Sequence, residues 1–125
     1  MTTKTYDGSC HCQAVRFRVT TDLDTAEILD CNCSICTKKG FLHLILEHEQ
    51  FELLSGAESL TEYRFNTGAA KHQFCRVCGI HPFYIARSDP NKIDVNLHCL
   101  DGVDVATLTP VKFDGQNWEE AIKVR

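Results

Sequence analysis

The chain has 125 residues, 43% of them hydrophobic and 24% charged, with a formal net charge of -4. This is the length of one domain and enough apolar material for a buried core, which sets aside a disordered chain. The acidic balance and the scattered Lys and Arg residues argue against nucleic acid as a partner. The longest apolar run, Phe83-Tyr84-Ile85-Ala86, is far too short for a membrane span.

The first twenty residues carry Lys4, Asp7, Arg16 and Arg18 without an apolar run. They do not read as a secretory signal, so a cytoplasmic location is expected. Further along, Val15, Phe17 and Val19 alternate with Arg16, Arg18 and Thr20, which predicts a half-buried strand. Ser34–Gly40 predicts a short helix, with Ser34 as a cap, Lys38 and Lys39 in its last turn and Gly40 at its end. Phe41–Leu46 predicts a strand that is apolar on both faces except at His43. Phe51–Leu54 and Leu60–Phe65 flank Ser55-Gly56-Ala57-Glu58, which predicts a hairpin. Asn66-Thr67-Gly68 is a turn signal, and Ala70–Phe74 leads into a cysteine pair. Pro82 demotes the start of Ile80–Ala86 to an edge or bend. Ile93, Val95 and Leu97 alternate with Asp94, Asn96 and His98, a second half-buried strand. The fold class expected is mainly β, with short strands, many turns and at most one or two short helices.

Seven of the eight cysteines fall in three tight clusters: Cys10 with Cys12, then Cys31, Cys33 and Cys36, then Cys75 with Cys78. A disulfide framework is disfavoured, because no export signal is seen and cysteines one residue apart in an extended chain diverge from relaxed disulfide geometry. Metal binding is expected instead. Residues i and i+2 of a strand share a face, and a CxxC followed by glycine makes a knuckle, so Cys10, Cys12, Cys75 and Cys78 suit a closed four-sulfur zinc site. Cys31, Cys33 and Cys36 suit a second zinc with a fourth position open to water or substrate. Two alternatives remain at this level. His11, His43, His72, His81, His98 or Cys99 could close the second site, and Cys10 and Cys12 could pair with two of the triplet instead.

The motifs Gly8-Ser9-Cys10-His11-Cys12-Gln13-Ala14, Cys31-Asn32-Cys33-Ser34-Ile35-Cys36, Phe74-Cys75-Arg76-Val77-Cys78-Gly79 and Val95-Asn96-Leu97-His98-Cys99 resemble, in this order, those of the glutathione-dependent formaldehyde-activating enzyme family, which also includes centromere protein V. The resemblance implies one zinc-binding domain over residues 1–125, built of several small antiparallel sheets in a complex coiled β fold organised around zinc. It implies two zincs per chain, a structural one on Cys10, Cys12, Cys75 and Cys78 and a catalytic one on Cys31, Cys33 and Cys36. It implies a carbon–sulfur lyase that adds the glutathione thiol to formaldehyde, giving S-hydroxymethylglutathione. Thr37 and Asn32 depart from the family pattern, which commonly has Arg and His there.

A small-molecule thiol, glutathione above all, is thus the expected partner. Its two carboxylates call for cations, with Lys38, Lys39 and Arg87 as candidates. A general acid or base is sought among His11, His43 and His98. The rival function is a zinc-stabilised binding or scaffold module without turnover. A methionine sulfoxide reductase is rejected, since the one tryptophan, Trp118, lies outside the context such an enzyme requires. Cys99 reads as a small buried residue at a strand end.

Overall fold

The structure, a computed structural model, describes residues 3–64, 68–86 and 91–122. Strands β1 (Lys4–Ser9), β2 (Arg16–Thr21) and β5 (Phe51–Ser55) form a three-stranded sheet in the order β1-β2-β5. A five-stranded sheet takes the order β10-β3-β4-β9-β8, from β3 (Glu27–Cys31), β4 (His43–Glu47), β8 (Phe83–Tyr84), β9 (Lys92–Asn96) and β10 (Val111–Phe113). Strands β6 (Leu60–Tyr63) and β7 (His72–Cys75) form a third, small sheet. Two short helices, α1 (Ser34–Lys39) and α2 (Trp118–Ala121), complete the regular structure among the described residues. None is long and apolar enough to cross a membrane.

The mainly β architecture matches the sequence pattern. In β2, Phe17, Val19 and Thr21 are buried and Arg16, Arg18 and Thr20 exposed, as period two requires. Helix α1 ends at Gly40 in the left-handed region (φ 66), whose N–H bonds the Cys36 carbonyl. Its cap residue is Cys33 rather than Ser34, which lies one position inside. The very short β8 occupies a sheet edge directly after Pro82.

Two expectations are corrected. The segments around Ser55–Glu58 do not form a hairpin: β5 pairs with β2, and β6 with β7. Gly56 (φ 93) abuts Ala14, whose carbonyl oxygen would lie 2.1 Å from an added Cβ. From there a 3-10 turn at Ala57–Ser59 leads the chain into another sheet. Strand β6 ends at Tyr63, and the predicted extension to Phe65 and the turn at Asn66-Thr67 fall outside the described residues. Finally, β10 runs parallel to β3, whereas the other described ladders are antiparallel. It arrives from the far end of the chain, free of the hairpin constraint that makes neighbours antiparallel.

The register of the five-stranded sheet separates its two faces. On one face, Ile28, Leu44, Leu46, Val95 and Phe83 enter the main core with Val15, Phe17 and Val19 of the other sheet. Phe83 meets Phe51 at 4.9 Å and Phe17 at 5.7 Å between ring centroids, both edge-on. On the other face, Phe113 pairs with Cys31, Leu29 with His43, and Asp94 with both Ile45 and Tyr84. This second face is also covered. Asp94 and Asn96, expected to face water, are buried, because the sheet is sandwiched and its second face floors a cavity.

Candidate metal centre and cavity

Four sulfurs converge where the β1–β2 connection meets the end of β7. Backbone bonds from Cys10 N to Val15 O (3.1 Å) and from Gln13 N to Cys10 O (3.2 Å) fold residues 10–15 into a tight loop. Beyond β7, Gly79 at φ 81 closes the knuckle by bonding its N–H to Cys75 O at 2.7 Å. The sulfurs of Cys10, Cys12, Cys75 and Cys78 all lie within 4.8 Å of one another. Cys12 Sγ is 3.7 Å from both Cys10 Sγ and Cys75 Sγ. Ligands about 2.3 Å from a tetrahedral zinc are spaced about 3.8 Å apart, so the cage has the size of that ion. The alternative pairing of Cys10 and Cys12 with the triplet is not what the chain brings together.

The sulfurs of Cys31, Cys33 and Cys36 form the second group within 4.8 Å. Cys31 ends β3, Cys33 caps α1 and Cys36 lies within it, so this cluster is partly helical. Among the described residues no further His, Cys, Asp or Glu joins the triplet at that spacing. The donor set is soft and thiolate-rich, as zinc prefers. Protonation reflects the crowding. Thiol hydrogen bonds from Cys31 and Cys36, aided by the backbone N–H groups of α1, pull Cys33 down to about 2. The same contacts push Cys31 and Cys36 up. In the four-sulfur cage, Cys78 falls to about 6 despite burial, because backbone N–H groups and the thiols of Cys10 and Cys12 favour its thiolate. A bound dication would take the place of these shared protons.

The triplet opens on a cavity of about 390 Å³ floored by the second face of the five-stranded sheet. Its apolar wall includes Leu29, Ile45, Phe113 and Trp118. Its polar wall includes His43, His72 and Asp94. Residues 113–118 close one side, and sequence reasoning missed them. Asn32 holds them: its amide donates to Asp114 Oδ1 (3.1 Å), and its side-chain oxygen accepts from Gln116 N (3.1 Å). These partners are 82 and 84 residues away in the chain, so no local signal marks them. The departure at Asn32 thus has a structural use. Thr37 lines a shallow depression with His98 instead of the cavity.

Of the histidines weighed as acid or base, His43 alone lines this cavity; His11 is exposed elsewhere, and the exposed His98 borders the depression that Cys31 and Cys36 also line. The lysines do not behave as carboxylate clamps. Lys38 is exposed. Lys39 Nζ sits 4.3 Å from the Phe41 ring centroid and 4.2 Å from that of Tyr84, and donates to His72 Nδ1 at 3.2 Å. Burial lowers its pKa. Arg87 lies outside the described residues. Cys99 is half-buried in a 3-10 turn, and burial pushes its thiol up to about 12, which makes it an unreactive residue.

Two predictions arise here. A Cβ on Gly115 would lie 2.5 Å from Cys31 Sγ and 2.7 Å from Cys33 Cβ. Gly115→Ala therefore loses metal from the triplet while the four-sulfur site stays loaded, as metal analysis will show. The second concerns acid. Burial, with the nearby Lys39 charge, holds His72 and His81 down at about 4. The unfolded chain protonates first, near pH 6.5. Stability is thus full above about pH 6.5, falls as pH drops toward 4 and gains no further loss from these rings below that. Denaturant midpoints between pH 7.5 and 4.5 measure the slope, and His72→Gln flattens it.

The chain is similar to known proteins in both sequence and structure. The sequence model of a family described as glutathione-dependent formaldehyde-activating enzyme matches residues 5–119. A crystal structure of a Rhodobacter sphaeroides protein is 38% identical, with 85% of this chain and 97% of that chain covered and a TM-score of 0.76.

Proposed function

Because this chain belongs to the glutathione-dependent formaldehyde-activating enzyme family, we propose that it is a zinc-dependent carbon–sulfur lyase that makes and breaks the adduct of a thiol with a small aldehyde. Glutathione and formaldehyde are the proposed pair, and S-hydroxymethylglutathione the product. The observation that carries this reading is the contrast between the two sulfur groups. Four sulfurs enclose one point completely, whereas three face a cavity. A closed site serves the fold and an open one offers a coordination position to substrate.

In this proposal Cys10, Cys12, Cys75 and Cys78 hold a structural zinc, and Cys31, Cys33 and Cys36 hold a second one. The second zinc supplies Lewis acidity to the bound substrate. The residues of the chain do the rest. The apolar wall of Leu29, Ile45, Phe113 and Trp118 excludes water, which strengthens every polar contact inside and protects the adduct from hydrolysis. The Asn32 grip on residues 114–116 holds that wall against the triplet. A scaffold module without turnover needs only the four-sulfur site and leaves the cavity without a purpose. The proposed location is the cytoplasm, where thiols stay reduced.

The test is magnetisation exchange between free formaldehyde and its glutathione adduct at equilibrium, with the zinc-loaded protein added. Acceleration over the spontaneous rate supports the proposal. An unchanged rate rejects glutathione and formaldehyde as the pair.

A further inference from the structure

His43 and Asp94 form an ionisable pair inside the sheet, with only 3% and 4% of their surfaces exposed. Burying such a pair is costly, and an apolar pair of similar volume would hold a sheet as well. Leu44 and Val95, beside them on the opposite face, are such a pair. The polar pair occurs only on the cavity face, and both members line the cavity that the triplet opens on.

The hydrogen bonding of the pair leaves one ring nitrogen bare. His43 Nδ1 lies 2.9 Å from Asp94 Oδ2, and with Asp94 ionised the proton sits on Nδ1 and is donated to the carboxylate. Tyr84 Oη lies 3.2 Å from the same nitrogen, and its hydroxyl also hydrogen-bonds Asp94. Phe41 and Tyr84 pack against the imidazole at 4.8 Å and 5.6 Å between centroids, and against each other at 5.2 Å. The ring is thus fixed in place and tautomer, while its Nε2 is buried with no partner among the described residues, as is Asp94 Oδ1. His43 does not join the three sulfurs within ligand spacing. The residue belongs to the wall of the cavity on which the triplet opens, and its Nε2 is left closed off from solvent and unpaired among the described residues.

We propose that His43, oriented by Asp94, is a catalytic residue that accepts the proton of the thiol substrate at Nε2 and returns it to the aldehyde oxygen. The proposal rests on the thiol–aldehyde reading above. In the forward direction the S–H bond breaks and its proton moves to Nε2. The sulfur pair forms the C–S bond as the carbonyl π pair moves to oxygen. That oxygen takes the Nε2 proton, and the imidazole ends neutral as it began. Asp94 stabilises the transient imidazolium through Nδ1–H, and Tyr84 keeps the carboxylate in place. The other charged or titratable groups near the ring are Lys39 on α1 and His72 on β7, which stack against or beside Tyr84.

The experiment uses the full zinc-loaded chain and two readouts. In the exchange assay, His43→Asn with both zincs retained lowers kcat/KM by about 10²–10⁴-fold, the usual worth of a general acid–base group. Asp94→Asn, which keeps the size of the side chain, lowers it less. A folded, fully loaded His43→Asn protein that keeps wild-type activity within a few-fold overturns the proposal. The second readout is independent of turnover. In 15N-histidine spectra Nε2 of His43 is bare without thiol and becomes protonated on saturation with 2-mercaptoethanol, and an Nε2 signal that does not move overturns the proposal. A wild-type chain inactive with glutathione rejects the proposed pair of substrates, and the spectra then decide the role of His43 alone.

Discussion

Replacing Cys75 by Ser leaves the chain without a stable fold. Cys75 is fully buried at the end of β7, and its sulfur lies 3.7 Å from that of Cys12 in the loop between β1 and β2. The four-sulfur group therefore ties the three-stranded sheet to the small third sheet. The small sheet has only two strands and short ones, so it lacks the apolar area to dock by itself. A structural zinc contributes about 10–16 kcal/mol in peptides that fold around it. That equals or exceeds the roughly 5–15 kcal/mol net stability of a typical domain. The expected outcome is insoluble expression or a melting midpoint lowered by more than about 10 °C, with at most one zinc per chain. Circular dichroism melts and metal analysis measure both, and an unchanged midpoint with two zincs rejects the structural assignment of the four sulfurs.

Cys31→Ser has the opposite profile: activity is lost and the fold survives. Cys31 is half-exposed at the mouth of the cavity, on the sheet face turned away from the main core. Its loss removes no core contact and leaves the four-sulfur site untouched. Two remaining sulfurs hold a zinc poorly, so one of two zincs is lost. Lewis-acid stabilisation by a metal is worth several kcal/mol. At about 1.4 kcal/mol per tenfold, its loss lowers the exchange rate by about 10²–10³-fold or more. The melting midpoint shifts by a few degrees only. A variant that keeps its rate with one zinc places the chemistry elsewhere, and one that unfolds makes the triplet structural. Taken with Cys75→Ser, the two phenotypes separate the roles of the two groups by opposite changes in stability and activity.

The three cysteine clusters were legible in the sequence because short-range spacing sets each of them. CxC, CxCxxC and CxxCG each bring sulfurs together within a turn or two of chain, and the glycine at 79 takes the left-handed conformation that the knuckle needs. Strand β2 was legible for a similar reason, since alternation of Phe17 and Val19 with charged neighbours assigns both faces at once. The strand alternation of β9 was equally visible but its meaning was not. Asp94 and Asn96 occupy the polar parity of a strand that is covered on both sides. Alternation states which residues share a face, not what lies above it. The hairpin expected at Ser55–Glu58 failed on a related point: turn residues show that the chain reverses or bends, not which strand it rejoins.

The chain by itself therefore determined the class of fold and the three cysteine clusters. Local covalent spacing and side-chain period are enough for that. Tertiary structure decided that Cys10 and Cys12 join Cys75 and Cys78, that His43 of the weighed histidines lines the cavity, that Lys39 lies against aromatic rings, and that residues 113–118 wall the cavity. Most of these relations join segments far apart in the chain, such as His43 with Asp94, 51 residues on, and Asn32 with Asp114, 82 residues on. They depend on sheet register and on which face is covered, and a one-dimensional pattern carries neither.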